Sequence, residues 1–163
     1  MRRLILMRHA KSDWSTAGLA DHDRPLNPRG MASAKALGEW FRLKGYVPDE
    51  VISSSARRTG QTLMGLALTN DARTTFSRDL YLASAIRIRV VLDTAKGTTV
   101  LILGHNPGIA DFAHSIVRTP PSHPRFHDYP TGATLVVDFK ANTWSGAQRG
   151  AVIDFVVPRE LTP

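Results

Sequence analysis

Two histidines and three arginines stand where they could act on a phosphoryl group. Arg8-His9 directly follows the uninterrupted apolar run Leu4 to Met7. Arg57-Arg58 comes shortly after Val51-Ile52-Ser53-Ser54, and His105 follows the run Val100 to Leu103 in Gly104-His105-Asn106-Pro107-Gly108. Guanidinium forks match phosphate oxygens in a fixed bidentate geometry. Imidazole titrates near neutrality and can serve as nucleophile or proton carrier. Phosphoryl transfer needs charge neutralisation and in-line positioning, which such a set can supply.

These side chains can converge only if the apolar runs before them are neighbouring parallel strands. A short continuous apolar run reads as a buried strand. In an open α/β sheet the ligand sits beyond the carboxyl ends of the strands. The remaining chain supplies the alternation this requires. Asp13 to Arg29 is a long polar loop, of a length that is usually functional or disordered. Asn27-Pro28 predicts a helix start, with Asn as N-cap and Pro at the first helical position. Ala34, Leu37, Gly38 and Phe41 share one face of that helix, and Gly45 predicts its stop. A second helix runs from Arg57-Arg58 to about Leu68. Thr75 to Leu82 reads as strand and loop, and Ser84 to Ala95 as a helix with Ile88, Val91 and Leu92 inward. Asn106 is expected to cap a further helix with Pro107 as its first residue. Arg118 to Thr131 holds four prolines and reads as loop or insertion. Leu135 to Phe139 and Ala151 to Val157 read as late antiparallel partners. The pattern predicts an α/β fold: a single three-layer α/β/α domain with a mostly parallel central sheet and late antiparallel strands.

A length of 163 residues suits one domain with a real core. The net charge is +7, and 16 of the 21 basic residues are arginine, which favours anionic partners. The arginines are scattered and aromatic residues make up only 7%, so nucleic acid is not the expected partner. The absence of cysteine excludes disulfides, thiolate catalysis and cysteine-based zinc sites. Apolar runs are too short for a membrane span or a signal-peptide core, so no membrane partner is expected and cytoplasmic residence is the matching expectation.

Arg57 and Arg58 both fall in the first turn of a predicted helix. A cation there costs about 0.3–1 kcal/mol against the helix dipole. An anion in front of the helix offsets that cost, so one of the pair is a candidate phosphate ligand. His114, His123, His127 and Asp128 are metal-ligand types, but their spacing fits no recognised zinc pattern, and no metal or other cofactor is expected. Trp14 reads as a loop anchor or a wall of the pocket. Lys11 and Arg24 could attract an acidic substrate, or could simply be solvated surface. His22 has no evident job.

At this point the segments match a known pattern. Arg8-His9-Ala10 resembles the Arg-His-Gly signature of the histidine phosphatase (phosphoglycerate mutase-like) superfamily. Ser54-Ser55-Ala56-Arg57-Arg58-Thr59-Gly60-Gln61-Thr62 is similar to its Ser-Pro-x-x-Arg-Ala-x-Gln-Thr segment, which puts the second arginine at Arg58. Gly104-His105-Asn106 is similar to its later histidine segment. Small size and Asp23-Arg24-Pro25-Leu26-Asn27-Pro28-Arg29-Gly30 look most like the short bacterial SixA-type phosphohistidine phosphatases. The resemblance covers roughly residues 3–139.

The resemblance implies one catalytic domain over residues 1–163 and a metal-independent phosphohistidine mechanism. His9 would be the nucleophile, and Arg8, Arg58 and a cationic His105 would hold the phosphoryl oxygens. Ser15, aligned with the asparagine that usually ends the first segment, would be a further phosphate contact, as would Asn106. Ala10 departs from the motif glycine, which is tolerable where φ stays negative. Leu80 to Ser84 lacks the glutamate that larger members use as general acid, with Asp79 merely adjacent. Without a strong acid the leaving group must depart readily. Imidazole does so after taking a proton from water, which favours phosphohistidine in proteins over serine and sugar phosphates. Two other functions share the same residues: a phosphoprotein-binding module without turnover, and a phosphatase of small phosphorylated metabolites.

Overall fold

The computed structural model describes residues 1–162. Six strands form one sheet in the order β3-β2-β4-β1-β5-β6. They are β1 (Arg2–Arg8), β2 (Glu50–Ser54), β3 (Arg73–Ser77), β4 (Thr99–Gly104), β5 (Thr134–Phe139) and β6 (Ala151–Val156). β1, β2, β3 and β4 pair in parallel, and only β5 runs against them. β6 pairs antiparallel with β5. The apolar run of β1 lies at the centre with Leu4, Ile5, Leu6 and Met7 fully buried. Side chains alternate across a strand, and here they feed two cores. Leu4 and Leu6 join the core beneath α3 (Ala85–Asp93) and α4 (Gly108–Ile116). Ile5 and Met7 join the core beneath α1 (Pro28–Lys44) and α2 (Arg57–Leu66). The three-layer architecture is the expected one.

Local signals decide most boundaries. Asn27 caps α1 by accepting the Gly30 N–H at 2.8 Å, Pro28 opens the helix, and Gly45 ends it at φ 73. Ser84 likewise caps α3, accepting the Arg87 N–H. The expected Asn106 cap is a correction. α4 begins at Gly108, Pro107 takes the cap position, and the Asn106-Pro107 peptide is cis. The Asn106 amide donates instead to the carbonyls of Asp128 and Tyr129, more than twenty residues away. A long-range contact therefore outbids the local one.

Two close approaches frame the rim of the sheet. At Gly30 a Cβ would sit 2.1 Å from the Lys11 carbonyl oxygen, so α1 presses directly on the chain leaving β1. At Gly108 a Cβ would meet the Ala83 carbonyl at 1.7 Å. The proline-containing segment is not loose: Phe126 and Tyr129 are buried, and the Tyr129 hydroxyl donates to the Leu6 carbonyl. No helix is long and apolar enough to cross a membrane among the described residues.

Candidate active site

Register brings the strand ends together. Arg8 of β1 lies opposite Gly104 of β4, and β2 flanks β4 on the other side. His9, Arg58 and His105 therefore meet just past one edge of the sheet, with Arg8 beside them. They line a cup of about 290 Å³ together with Ser12, Trp14, Leu82 and Asn106. The His9 and His105 rings lie 5.3 Å apart.

His9 is buried, and its Nδ1 lies 2.6 Å from the Ala10 carbonyl. A carbonyl only accepts, so Nδ1 carries the proton and Nε2 is left with its lone pair. Burial, reinforced by the charges of Arg8 and Arg58, depresses His9 to about 4. At neutral pH it is an uncharged imidazole, the form able to act as a nucleophile. Ala10 supplies that carbonyl without a positive φ, and its N–H donates to the Thr62 hydroxyl at 3.0 Å. Thr62 in turn donates to the Arg58 carbonyl, and Gln61 accepts the Leu26 N–H. The Gln61-Thr62 pair thus fastens α2 to both ends of the loop after β1.

Arg58 and Arg57 separate cleanly. Arg57 is exposed; Arg58 is buried and points into the cup. Its Nη1 donates to the Asp21 carbonyl at 2.7 Å, and its Nη2 to the Asp21 carboxylate at 3.0 Å and to His105 Nδ1 at 3.3 Å. His105 Nε2 lies 2.8 Å from the Ser54 hydroxyl. This network assigns the His105 proton to Nε2, with Nδ1 as acceptor. Burial first, then the neighbouring positive groups, pushes His105 down to about 3. The expectation of a cationic His105 is therefore corrected: in the free protein it is neutral. Arg8 donates from Nη1 to the Tyr129 carbonyl at 3.2 Å, and its Nε has no protein partner. Burial beside Arg58 lowers its pKa. The cup thus holds fixed cations around an uncharged imidazole, an arrangement that can attract a phosphoryl group and accept it on nitrogen.

Not every expected contact arrives. Ser15 is exposed, its N–H bound to the Asp13 carboxylate, and it does not line the cup. Ser12, three residues earlier, stands there instead. Asn106 lines the cup, but both amide hydrogens go to carbonyls, and its side-chain oxygen, buried and without a protein partner, is an acceptor, which repels an anion. Trp14 proves to be a wall rather than a buried anchor: it is exposed, with the Arg24 guanidinium 4.1 Å from its ring centroid. Asp79 points away and pairs loosely with Arg87 at 3.7 Å. The histidines at 114, 123 and 127 do not gather around one point: His123 pairs with Glu160, and Asp128 with Arg125. Among the described residues no three His, Asp or Glu side chains are grouped to hold a metal.

Three participants were not singled out from sequence. Asp21 orients Arg58 and accepts from the Tyr81 hydroxyl. Its carboxyl is held below the usual range by Tyr81 and then by Arg58, so it stays ionised. Tyr81 also places its ring edge against His105 and His22. Ser54 accepts from His105 Nε2 in the tautomer that the Arg58 donor on Nδ1 sets. A polar residue closing a buried strand was the available signal for Ser54. Asp21 and Tyr81 lie sixty residues apart and carry none.

The chain is similar to known proteins in sequence and in fold. Residues 4–81 match the family model described as histidine phosphatase superfamily (branch 1). An uncharacterized protein of Mycobacterium tuberculosis is 32% identical over 162 residues, covering 94% of this chain and all of that one. An uncharacterized chloroplastic protein of Arabidopsis thaliana is 34% identical over 120 residues, 66% of this chain; the matched part is 55% of that longer relative. Among solved structures, a candidate phosphohistidine phosphatase SixA from Nakamurella multipartitia superposes with a TM-score of 0.81 at 28% identity, covering 96% of each chain.

Proposed function

The chain belongs to the histidine phosphatase superfamily, and from that premise we propose that it hydrolyses phosphohistidine in proteins by way of a phosphoryl group carried on His9. The observation that carries this reading is the state of His9: uncharged, its Nδ1–H committed to Ala10, its Nε2 open to a cup walled by Arg8 and Arg58. Nε2 attacks phosphorus in line. The bond to the leaving nitrogen breaks, and the phosphoryl oxygens rest on the two guanidinium groups. Water then attacks the phosphohistidine, releasing inorganic phosphate and restoring the free imidazole. A phosphoryl group docked against His105 Nδ1 raises that nitrogen's basicity, so His105 takes up positive charge when the oxyanion arrives.

The leaving group follows from the acids at hand. Asp21 is the carboxyl nearest this network, and it is ionised and engaged by Tyr81 and Arg58. It has no proton to give an alkoxide. Imidazole leaves after a proton from solvent, which favours phosphohistidine over sugar or serine phosphates. The test is a substrate panel with wild type and His9→Ala, reading phosphate release and acid-labile, base-stable phosphate on the protein. Expected are turnover of a phosphohistidine peptide well above a sugar phosphate, label on wild type, and neither with His9→Ala. Faster hydrolysis of the sugar phosphate would overturn the substrate assignment.

A further inference from the structure

A second and larger cavity, about 890 Å³, opens beside the cup and shares Lys11 and Thr131 with it. Three further cations line it: Arg29 from the start of α1, Arg125 from the segment before β5, and Arg159 from the turn after β6. No carboxylate lines it among the described residues. Lys11, Arg29 and Arg159 are exposed and make no ion pair among the described residues, whereas Arg125 is held by Asp128 at 3.0 Å. Arg29 is placed against its own helix. It stands in the first turn of a 17-residue helix that has no acidic residue there, where the dipole disfavours a cation. An anion bound in front of it reverses that penalty.

The lining also says what kind of anion fits. It holds no aromatic ring among the described residues, so a nucleobase has nothing to stack on. The unpaired cations are exposed and come from three separate places in the fold rather than forming one buried fork, which suits several dispersed carboxylates better than one compact phosphate. Ala32, Pro130, Val157 and Pro158 give an apolar floor for the stems of acidic side chains and for peptide backbone. We infer that this basic groove docks a carboxylate-rich segment of the protein whose phosphohistidine enters the cup, so that substrate choice is made beside the catalytic centre. The inference rests on the phosphoprotein reading above and adds to it the acidic character of the substrate.

The test pairs two phosphohistidine peptides, one with Asp and Glu flanking the modified residue and one with the amides in their place. p-Nitrophenyl phosphate, which has no flanking residues to lay in the groove, serves as the control. Wild type should show a kcat/KM for the acidic peptide on the order of tenfold above the amide peptide at low salt, shrinking as ionic strength rises. Arg29→Glu/Arg159→Glu should abolish or invert that preference and leave p-nitrophenyl phosphate turnover unchanged. Arg29→Gln/Arg159→Gln should fall between. Equal kcat/KM for the two peptides in wild type, or a preference that survives the charge reversal, overturns the inference while the phosphohistidine reading stands. Turnover of p-nitrophenyl phosphate with neither peptide cleaved overturns both.

Discussion

Acid should weaken this fold through the two histidines of the cup, and the size of the effect follows from their burial. His9 is depressed from 6.5 to about 4 and His105 from 6.5 to about 3. Both groups are almost fully buried. Between the folded and unfolded values the unfolded chain binds more protons, so stability is intact above pH 6.5 and falls as pH drops towards 4. Moving from pH 7.5 to pH 5 should cost about 2 kcal/mol for each histidine, about 4 kcal/mol together, by proton linkage. That is a large part of the roughly 5–15 kcal/mol that holds a typical domain folded. The assay is urea unfolding at a series of pH values for wild type, His9→Asn and His105→Asn, with midpoint and slope fitted separately. Each variant should lose about half of the wild-type slope of stability against pH in this window. Parallel profiles for all three proteins would refute the reasoning, because they would show that neither ring is held uncharged by the fold.

Asp21→Asn should lower kcat/KM by on the order of tenfold, since one charge-assisted hydrogen bond to Arg58 is weakened while the backbone carbonyl bond remains; steady-state kinetics should show this with little change in melting temperature, as Asp21 is partly exposed. Gly30→Ala forces a methyl to within 2.1 Å of the Lys11 carbonyl, and should cost about 1–3 kcal/mol and reduce activity by moving the chain that carries Ser12, both measurable on one preparation by thermal unfolding and turnover. Ser15→Ala should change kcat/KM by less than about twofold, since a surface side chain away from the cup contributes little; a large loss would restore Ser15 to the site.

Much of the site was legible because it is written in local chemistry at strand ends. The apolar run before Arg8-His9 places both residues, and Asn27-Pro28 sets α1, without reference to anything distant. The choice between Arg57 and Arg58 needed the helix phase, because adjacent residues on a helix point about 100° apart; the family pattern selected Arg58, and the fold buries it. What failed did so through contacts across long separations. Asn106 carries every mark of an N-cap, yet carbonyls at 128 and 129 take its amide. Ser15 was expected from alignment with another protein's segment, but Asp13 turns it outward. The charge on His105 could not be read from a bare histidine, because burial and its arginine neighbour set it.

Tyr129 has a consequence of another kind. Its hydroxyl is fastened to Leu6, its ring packs near Phe126 and Phe155, and its carbonyl receives Arg8. One residue therefore welds the floor of the protein to the aim of a guanidinium. The Tyr129 N–H also donates to the Arg125 carbonyl, so exchanging exposed side chains before it can alter what the groove meets only while that backbone path is kept, whereas a single insertion between Tyr129 and β5 would redirect the carbonyl that receives Arg8.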